Sequence, residues 1–138
     1  MADVHDFNRS LIDEFRANDG KVGGPFAGAS LLLLTTTGAK SGKSRTVPVV
    51  YLPDRERLVV FASKAGAPTN PDWYHNLVAN PRVSVEVGSE RFDADAVVVT
   101  GDERDRLFAQ QAASFPGFTE YQAKTTRVIP VVALEPRR

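Results

Sequence analysis

The stretch LLLLTTTGAKSGKSRTVPVVY, residues 31–51, decides the fold. Its centre imitates the phosphate-binding loop that precedes a helix. That loop needs four residues between its glycines, whereas Gly38 and Gly42 enclose only Ala39, Lys40 and Ser41. It also needs a helix afterwards, with its N-terminus facing the phosphates. Arg45 to Tyr51 is instead β-branched and holds Pro48, which no regular helix accepts in its interior. The stretch therefore reads as strand, loop, strand: an apolar strand over 31–36 buried on both faces, a loop over 38–44, and a second strand over 45–52. The chemistry of the loop outlives the failed motif. Two glycines let amides turn outward, Ser41 and Ser44 bring hydroxyls, and Lys40, Lys43 and Arg45 bring charge, which together can hold a phosphate or carboxylate. The plainer alternative is a hairpin loop with solubilising charge.

Outward from this centre, Pro53 to Glu56 forms a turn into a strand over 58–62. Upstream, Val4, Phe7, Leu11, Ile12 and Phe15 recur at helical spacing before Asn18, Asp19 and Gly20 stop the helix. An amphipathic helix thus takes up residues 1–19. Downstream, Asn70, Pro71 and Asp72 open a second helix as N-cap, first helical residue and first-turn acid, and Asn80 and Pro81 end it. Residues 83–87 alternate strictly, Gly88 and Ser89 turn the chain, and 91–99 returns as the partner strand. Thr100 to Glu103 has the form of a capping box and leads a helix to about Ala113. A short helix follows to about Lys124, and 128–134 closes as the last strand. About six short, mostly sequential strands with an N-terminal helix and short inserted helices make a mainly β (α+β) chain. They suit an antiparallel barrel better than a doubly wound parallel sheet, in one domain over 1–138.

Composition narrows the chemistry. With no cysteine among 138 residues, thiolate catalysis, disulfides and thiolate metal sites are excluded. The two histidines, His5 and His75, have no partner pattern, so no metal site is expected. The longest aliphatic run, Leu31 to Leu34, is far short of a membrane span, and the N-terminus lacks the order of a signal peptide. A cytoplasmic protein is expected, with weak peripheral contact at the inner face of the membrane as the most that the acidic N-terminal helix allows. Seventeen basic and seventeen acidic residues cancel, but not locally. From Lys21 to Pro53 there is no acid, while Lys21, Lys40, Lys43 and Arg45 are positive; Arg57 to Pro71 is likewise acid-free and carries Lys64. A neutral chain with one cationic patch is built for a small anion rather than for nucleic acid.

A second polar loop, Ser63, Lys64, Ala65 and Gly66, follows the strand ending at Ala62, and its small residues admit a flat ring close to the backbone. Next, Trp73, Tyr74, His75 and Asn76 crowd one or two helical turns. Trp73 shares a face with Leu77 and has a core role open to it; Tyr74 and Asn76 are harder to explain as packing.

In order, LLTTTGAKSGKSR over 33–45, Pro48, ASKAG over 62–66, NPDWYHNL over 70–77 with Ala79, Asn80 and Pro81, then Tyr121 and IPVV over 129–132 resemble the deazaflavin-dependent nitroreductase family of actinobacteria. The resemblance implies a split β-barrel related to FMN-binding and pyridoxamine-phosphate-oxidase-like barrels, and coenzyme F420, a deazaflavin with a phosphate and a polyglutamate tail. It implies an oxidoreductase that moves a hydride from the reduced deazaflavin to a planar organic acceptor, a quinone, enone or nitro compound. Carried over by position, Ala39, Lys40, Ser41, Lys43, Arg45, Thr46, Val47, Pro48, Val49 and Val50 contact tail and ring. Ala62, Ser63, Lys64 and Ala65 flank the ring edge, and Asp72, Trp73, Tyr74, His75 and Asn76 close on the cofactor. Phe115, Phe118 and Tyr121 wall the substrate. Ser63 and Tyr121 are the candidate catalytic groups, Ser63 having the alternative of satisfying loop backbone.

In the family's nitroimidazole reducers the segment corresponding to Phe115, Phe118 and Tyr121 presents tyrosines. Here only Tyr121 keeps a hydroxyl, so nitro reduction loses a donor while planar apolar acceptors keep their wall. FMN on the same barrel, a non-enzymatic deazaflavin carrier, and a state of either monomer or homodimer stand as alternatives.

Overall fold

Four consecutive leucines satisfy no single-faced strand, and the structure gives them a core on each side. The computed structural model describes residues 4–18, 20–21, 31–63, 70–114, 117–125 and 128–137. Strand β1 (Leu31–Thr37) forms an antiparallel hairpin with β2 (Ser44–Asp54), from Leu31 opposite Val50 to Thr37 opposite Ser44. The wall continues through β3 (Arg57–Phe61), β6 (Val131–Pro136), β5 (Glu90–Val99) and β4 (Arg82–Val87), which returns to β1 and closes an antiparallel barrel. Helices α1 (Val4–Ala17), α2 (Asp72–Ala79), α3 (Gly101–Ser114) and α4 (Gly117–Lys124) are added around it.

Leu32 and Leu34 turn inward to Val60, Val83, Val85, Ala94, Val132 and Leu134, with Leu77 of α2 packed against the same core. Leu31 and Leu33 point outward beneath Leu11 and Phe15 of α1. Each leucine removed from water in this way contributes about 1.5–3 kcal/mol. A third cluster lies outside β3, β5 and β6, where Val59, Phe61, Val99, Val131 and Ala133 meet Leu107 and Phe108 of α3. Charge fastens α1 as well: Arg16 donates to both carboxylate oxygens of Glu86 on β4, at 3.0 and 2.8 Å.

Three of the boundaries that differ from the sequence reading do so for a clear local reason. β2 runs on to Asp54 and turns over Arg55 and Glu56 alone, with Arg55 at φ 59° and the flanking Asp54 and Arg57 ion-paired. The cap of α2 is Pro71 rather than Asn70. Pro71 is extended and makes no side-chain cap, and its carbonyl accepts the Tyr74 N–H at 3.0 Å. The last strand starts at Val131 rather than 128 because side chains occupy the backbone before it. The Ile129 N–H donates to Gln122 Oε1, the Ile129 carbonyl accepts from Arg104, and Pro130 has no N–H to give.

Candidate functional site

Strand β2 changes partners midway, and the site forms where it does. Residues 44–50 pair with β1, and 51–54 pair with β3 on the other side. Beyond the Tyr51–Val60 pair β2 and β3 separate, so the first half of β2 has no strand partner on its β3 side among the described residues. Pro48 sits in this half, where a missing N–H costs the sheet little. The barrel is split here, between β2 and the segment leaving β3.

The expectation that six consecutive residues, Arg45 to Val50, border one site needs a feature common to all six. Their side chains cannot share a face. Val47 and Val49 pack against the inner core, Thr46 Oγ1 hydrogen-bonds Thr35 Oγ1 at 2.8 Å, and Val50 packs beneath α1. What the six share is a backbone edge. Across from it, Ala62 is fully buried and gives its N–H to the Pro130 carbonyl at 2.9 Å, while Ser63 is half-buried. Lys64, Ala65 and Phe115 lie outside the described residues.

The β1–β2 loop stands over the same end of the barrel. Within it Gly38 donates to the Lys43 carbonyl at 2.8 Å, and Gly42 to the Gly38 carbonyl at 3.0 Å. Lys43 N–H donates to Ser41 Oγ at 3.2 Å, and Ala39 N–H to Asn76 Oδ1 at 3.0 Å. Four of the loop amides expected to turn outward are therefore spent inside. Those of Lys40 and Ser41 keep no internal acceptor among the described residues. A Cβ at Gly38 would stand 2.5 Å from Ser41 Oγ and so displace the hydroxyl to which the Lys43 N–H donates, and Gly42 has φ 71°.

Asn76 is the fastening that the sequence left unexplained. Buried on α2, it accepts from Ala39 and donates through Nδ2 to Thr36 Oγ1 at 3.1 Å. Its amide fixes the loop from below rather than reaching outward. Asn80, one turn on, donates to the Thr37 carbonyl at 3.3 Å. Trp73 and Tyr74 pack against the inner core beside Leu77, whereas Asp72 and His75 are exposed.

Three cations close together in sequence mark this end of the molecule. Lys40, Lys43 and Arg45 are exposed, and none has an acidic partner among the described residues. Arg16, Arg57, Arg104, Arg106 and Arg137 are paired; Arg9, Lys21, Arg55, Arg82, Arg91 and Lys124 form no salt bridge among the described residues either, but they are spread along the chain. Three uncompensated cations with two open amides fit a multiply anionic ligand. Among the described residues no cluster of His, Asp and Glu could hold a metal. An aromatic wall stands at the other flank. Phe118 of α4 meets Phe61 at the end of β3 with ring centres 5.7 Å apart, and Tyr121 meets Phe118 at 5.3 Å, both edge to face.

Over residues 7–136 the chain matches the family described as F420H(2)-dependent quinone reductase. It belongs to that family. The F420H(2)-dependent quinone reductase Rv1261c of Mycobacterium tuberculosis is 40% identical over 127 residues, 89% of this chain and 85% of the relative. An F420-H2 dependent reductase of known structure, FDR-A, superposes with a TM-score of 0.71 at 42% identity, covering 77% of this chain and 94% of the other. A structure described as a domain-swapped dimer gives 0.73 at 39% identity, covering 92% and 93%. A pyridoxamine 5'-phosphate oxidase-like protein of Listeria innocua, 13% identical with a TM-score of 0.59 over 79% of this chain and 85% of that one, shares the fold alone. F420H(2)-dependent quinone reductases are oxidoreductases in which reduced F420 passes a hydride to a quinone. Membership therefore decides for F420 over FMN and for an enzyme over a carrier. Among the described residues no helix is long and apolar enough to cross a membrane.

The sequence reading missed Thr36, Asn80 and Arg104. Thr36 read as plain strand, Asn80 as a helix stop and Arg104 as an ordinary residue of the helix after the capping box; only their spatial partners give them roles.

Proposed function

We propose that Lys40, Lys43 and Arg45 hold the anionic tail of F420, that the open edge of β2 and Ser63 take its ring, and that Phe118 and Tyr121 wall the quinone. The observation that carries this reading is the trio of neighbouring exposed cations without acidic partners among the described residues, beside the half of β2 that has no partner on its β3 side among them. Bound reduced F420 supplies the hydride. The chain's own part is to orient and to exclude water. Asn76 and Asn80 hold the loop at the height of the β2 edge. Ser63 and the Tyr121 hydroxyl donate toward the quinone oxygen as negative charge develops there. Phe118, with Phe115 as its neighbour in sequence, keeps that wall apolar and favours planar quinones over nitro compounds.

The same reading takes residues 1–138 as one cofactor-binding domain with a small-molecule acceptor as its partner. A homodimer is the favoured state over a monomer, following the relative that forms a domain-swapped dimer. The test is to mix the protein with reduced F420 and a panel of quinones, enones and nitroimidazoles while following recovery of the oxidised deazaflavin absorbance. Recovery is expected with quinones above all. Failure with every quinone overturns the acceptor assignment.

A further inference from the structure

The wall formed by α4 is weakly founded on its own terms. α4 has only eight residues and buries none of them fully. A helix that short does not persist in water unaided. Yet Phe118 and Tyr121 keep fixed edge-to-face contacts, so something outside α4 must set its position.

Phe118 and Tyr121 pack on the cluster outside β3, β5 and β6, and the polar part of the anchor is Arg104, in the first turn of α3. Its side chain is only 12% exposed. Nε and Nη2 both donate to the Ile129 carbonyl, at 3.2 and 2.9 Å, and Nη2 donates again to Gln122 Oε1 at 2.9 Å. Nη1 donates to Asp105 at 3.1 Å. Gln122 Oε1 also accepts the Ile129 N–H at 3.1 Å, so one guanidinium and one amide tie α3, α4 and the approach to β6 together. The guanidinium lies 4.6 Å over the ring of Phe108, which contacts Phe61 and Phe118 at 6.2 and 6.3 Å. Gln122 is the immediate neighbour of Tyr121. Arg104, Phe108 and Gln122 also line a groove of about 700 Å³ between α3 and α4, bordered by Ala109, Ala112 and Ala123, so the apolar contact of Phe108 with Phe118 leaves part of the space between the two helices unfilled.

We infer that Arg104 is a positioning residue for quinone reduction: it sets α4 so that Phe118 and Tyr121 face the acceptor. This rests on the reading of Phe118 and Tyr121 as the quinone wall. Charge alone does not meet the need. A lysine carries one point of charge and cannot place two forked donors on Ile129 and Gln122 while stacking on Phe108.

The test compares Arg104→Lys, Gln122→Met, Phe118→Ala and Tyr121→Phe with the parent protein. For each, F420 affinity is read by fluorescence titration and quinone kinetics are read with reduced F420. Far-ultraviolet circular dichroism reports folding, and Gln122→Met keeps the question open to measurement if Arg104→Lys does not fold. Arg104→Lys and Gln122→Met are expected to raise KM for quinone about tenfold, with kcat and F420 affinity changed less than about twofold. A loss confined to stability, or an equal loss of F420 affinity, marks Arg104 as merely structural and overturns the inference. An unchanged KM in folded Arg104→Lys overturns it as well. If Phe118→Ala and Tyr121→Phe leave quinone kinetics unchanged, the wall itself is wrong. If those two change the kinetics and the Arg104 and Gln122 variants do not, only the positioning role fails.

Discussion

The two ends of β2 use the same residue types in opposite ways. At its start, Lys40, Lys43 and Arg45 stand exposed without acidic partners among the described residues. At its end, Asp54 meets Arg57 and Arg106, and Arg57 turns also to Glu103 of α3. The hydrogen bond from Arg57 holds the Asp54 carboxyl below its ordinary range, and the Asp54 and Glu103 partners in turn raise Arg57. One end spends its charge on the fold. The other keeps its charge for something outside the chain, and tolerates the resulting repulsion because water screens it.

Reversing charge at the open end is the strongest way to break this contrast. The double variant Lys40→Glu with Arg45→Glu is expected to weaken F420 binding by roughly a hundredfold or more, while the melting temperature hardly moves. Fluorescence titration at two salt concentrations reads it; unchanged affinity removes the tail site. The mirror experiment at the closed end, Asp54→Asn, should lower Tm and leave F420 affinity alone.

A smaller effect sharpens how the open end is held. Asn76→Leu keeps the volume but strands the Ala39 N–H and the Thr36 hydroxyl. About 2 kcal/mol of stability should go with it, as for other buried groups left unpaired. F420 affinity should fall roughly tenfold, although Asn76 bears no charge. A Tm loss without an affinity loss separates the loop from the ligand.

The smallest effect is on pH dependence. Asp54 is held below its ordinary 3.8 by Arg57, and Glu86 below its ordinary 4.5 by the hydrogen bonds from Arg16. A carboxylate depressed in the folded chain stabilises fully above its unfolded pKa, and that stabilisation disappears as pH falls through the folded one. Tm should therefore hold from neutral pH to about pH 5 and fall below it. Replacing Glu86 by Gln should flatten the fall, because the amide has no carboxylate to protonate on the way down in pH.

Much of this was legible in residues 31–51. An apolar run with no polar alternation required two cores, and the failed glycine spacing ruled out a helix after the loop. Those two readings placed the strands, and the acid-free run placed the cations. The alternation of 83–87 fixed the second hairpin in the same way. What could not be read were contacts between elements far apart in sequence. That Asn76 ties Thr36 to Ala39 shows only once the two are seen on either side of it. Arg104 carries no motif, since its partners lie 18 and 25 positions away. The N-cap of α2 slipped by one residue because Pro71 fits the cap position as readily as the first helical turn.

The two-sided burial of β1 also bears on how the chain avoids self-association. Leu31 to Leu34 is the kind of segment, apolar and uncharged, that stacks into aggregates when its edge is open. Closure of the barrel removes that edge, but not evenly. β1 is joined to β2 along its whole length and to β4 only at Leu33, Leu34 and Thr35. The seam with β4 has the fewest paired residues in the wall, and the Arg16–Glu86 bridge is fixed to the residue paired with Leu33. α1 thus serves the solubility of the chain as a clasp over its most adhesive strand.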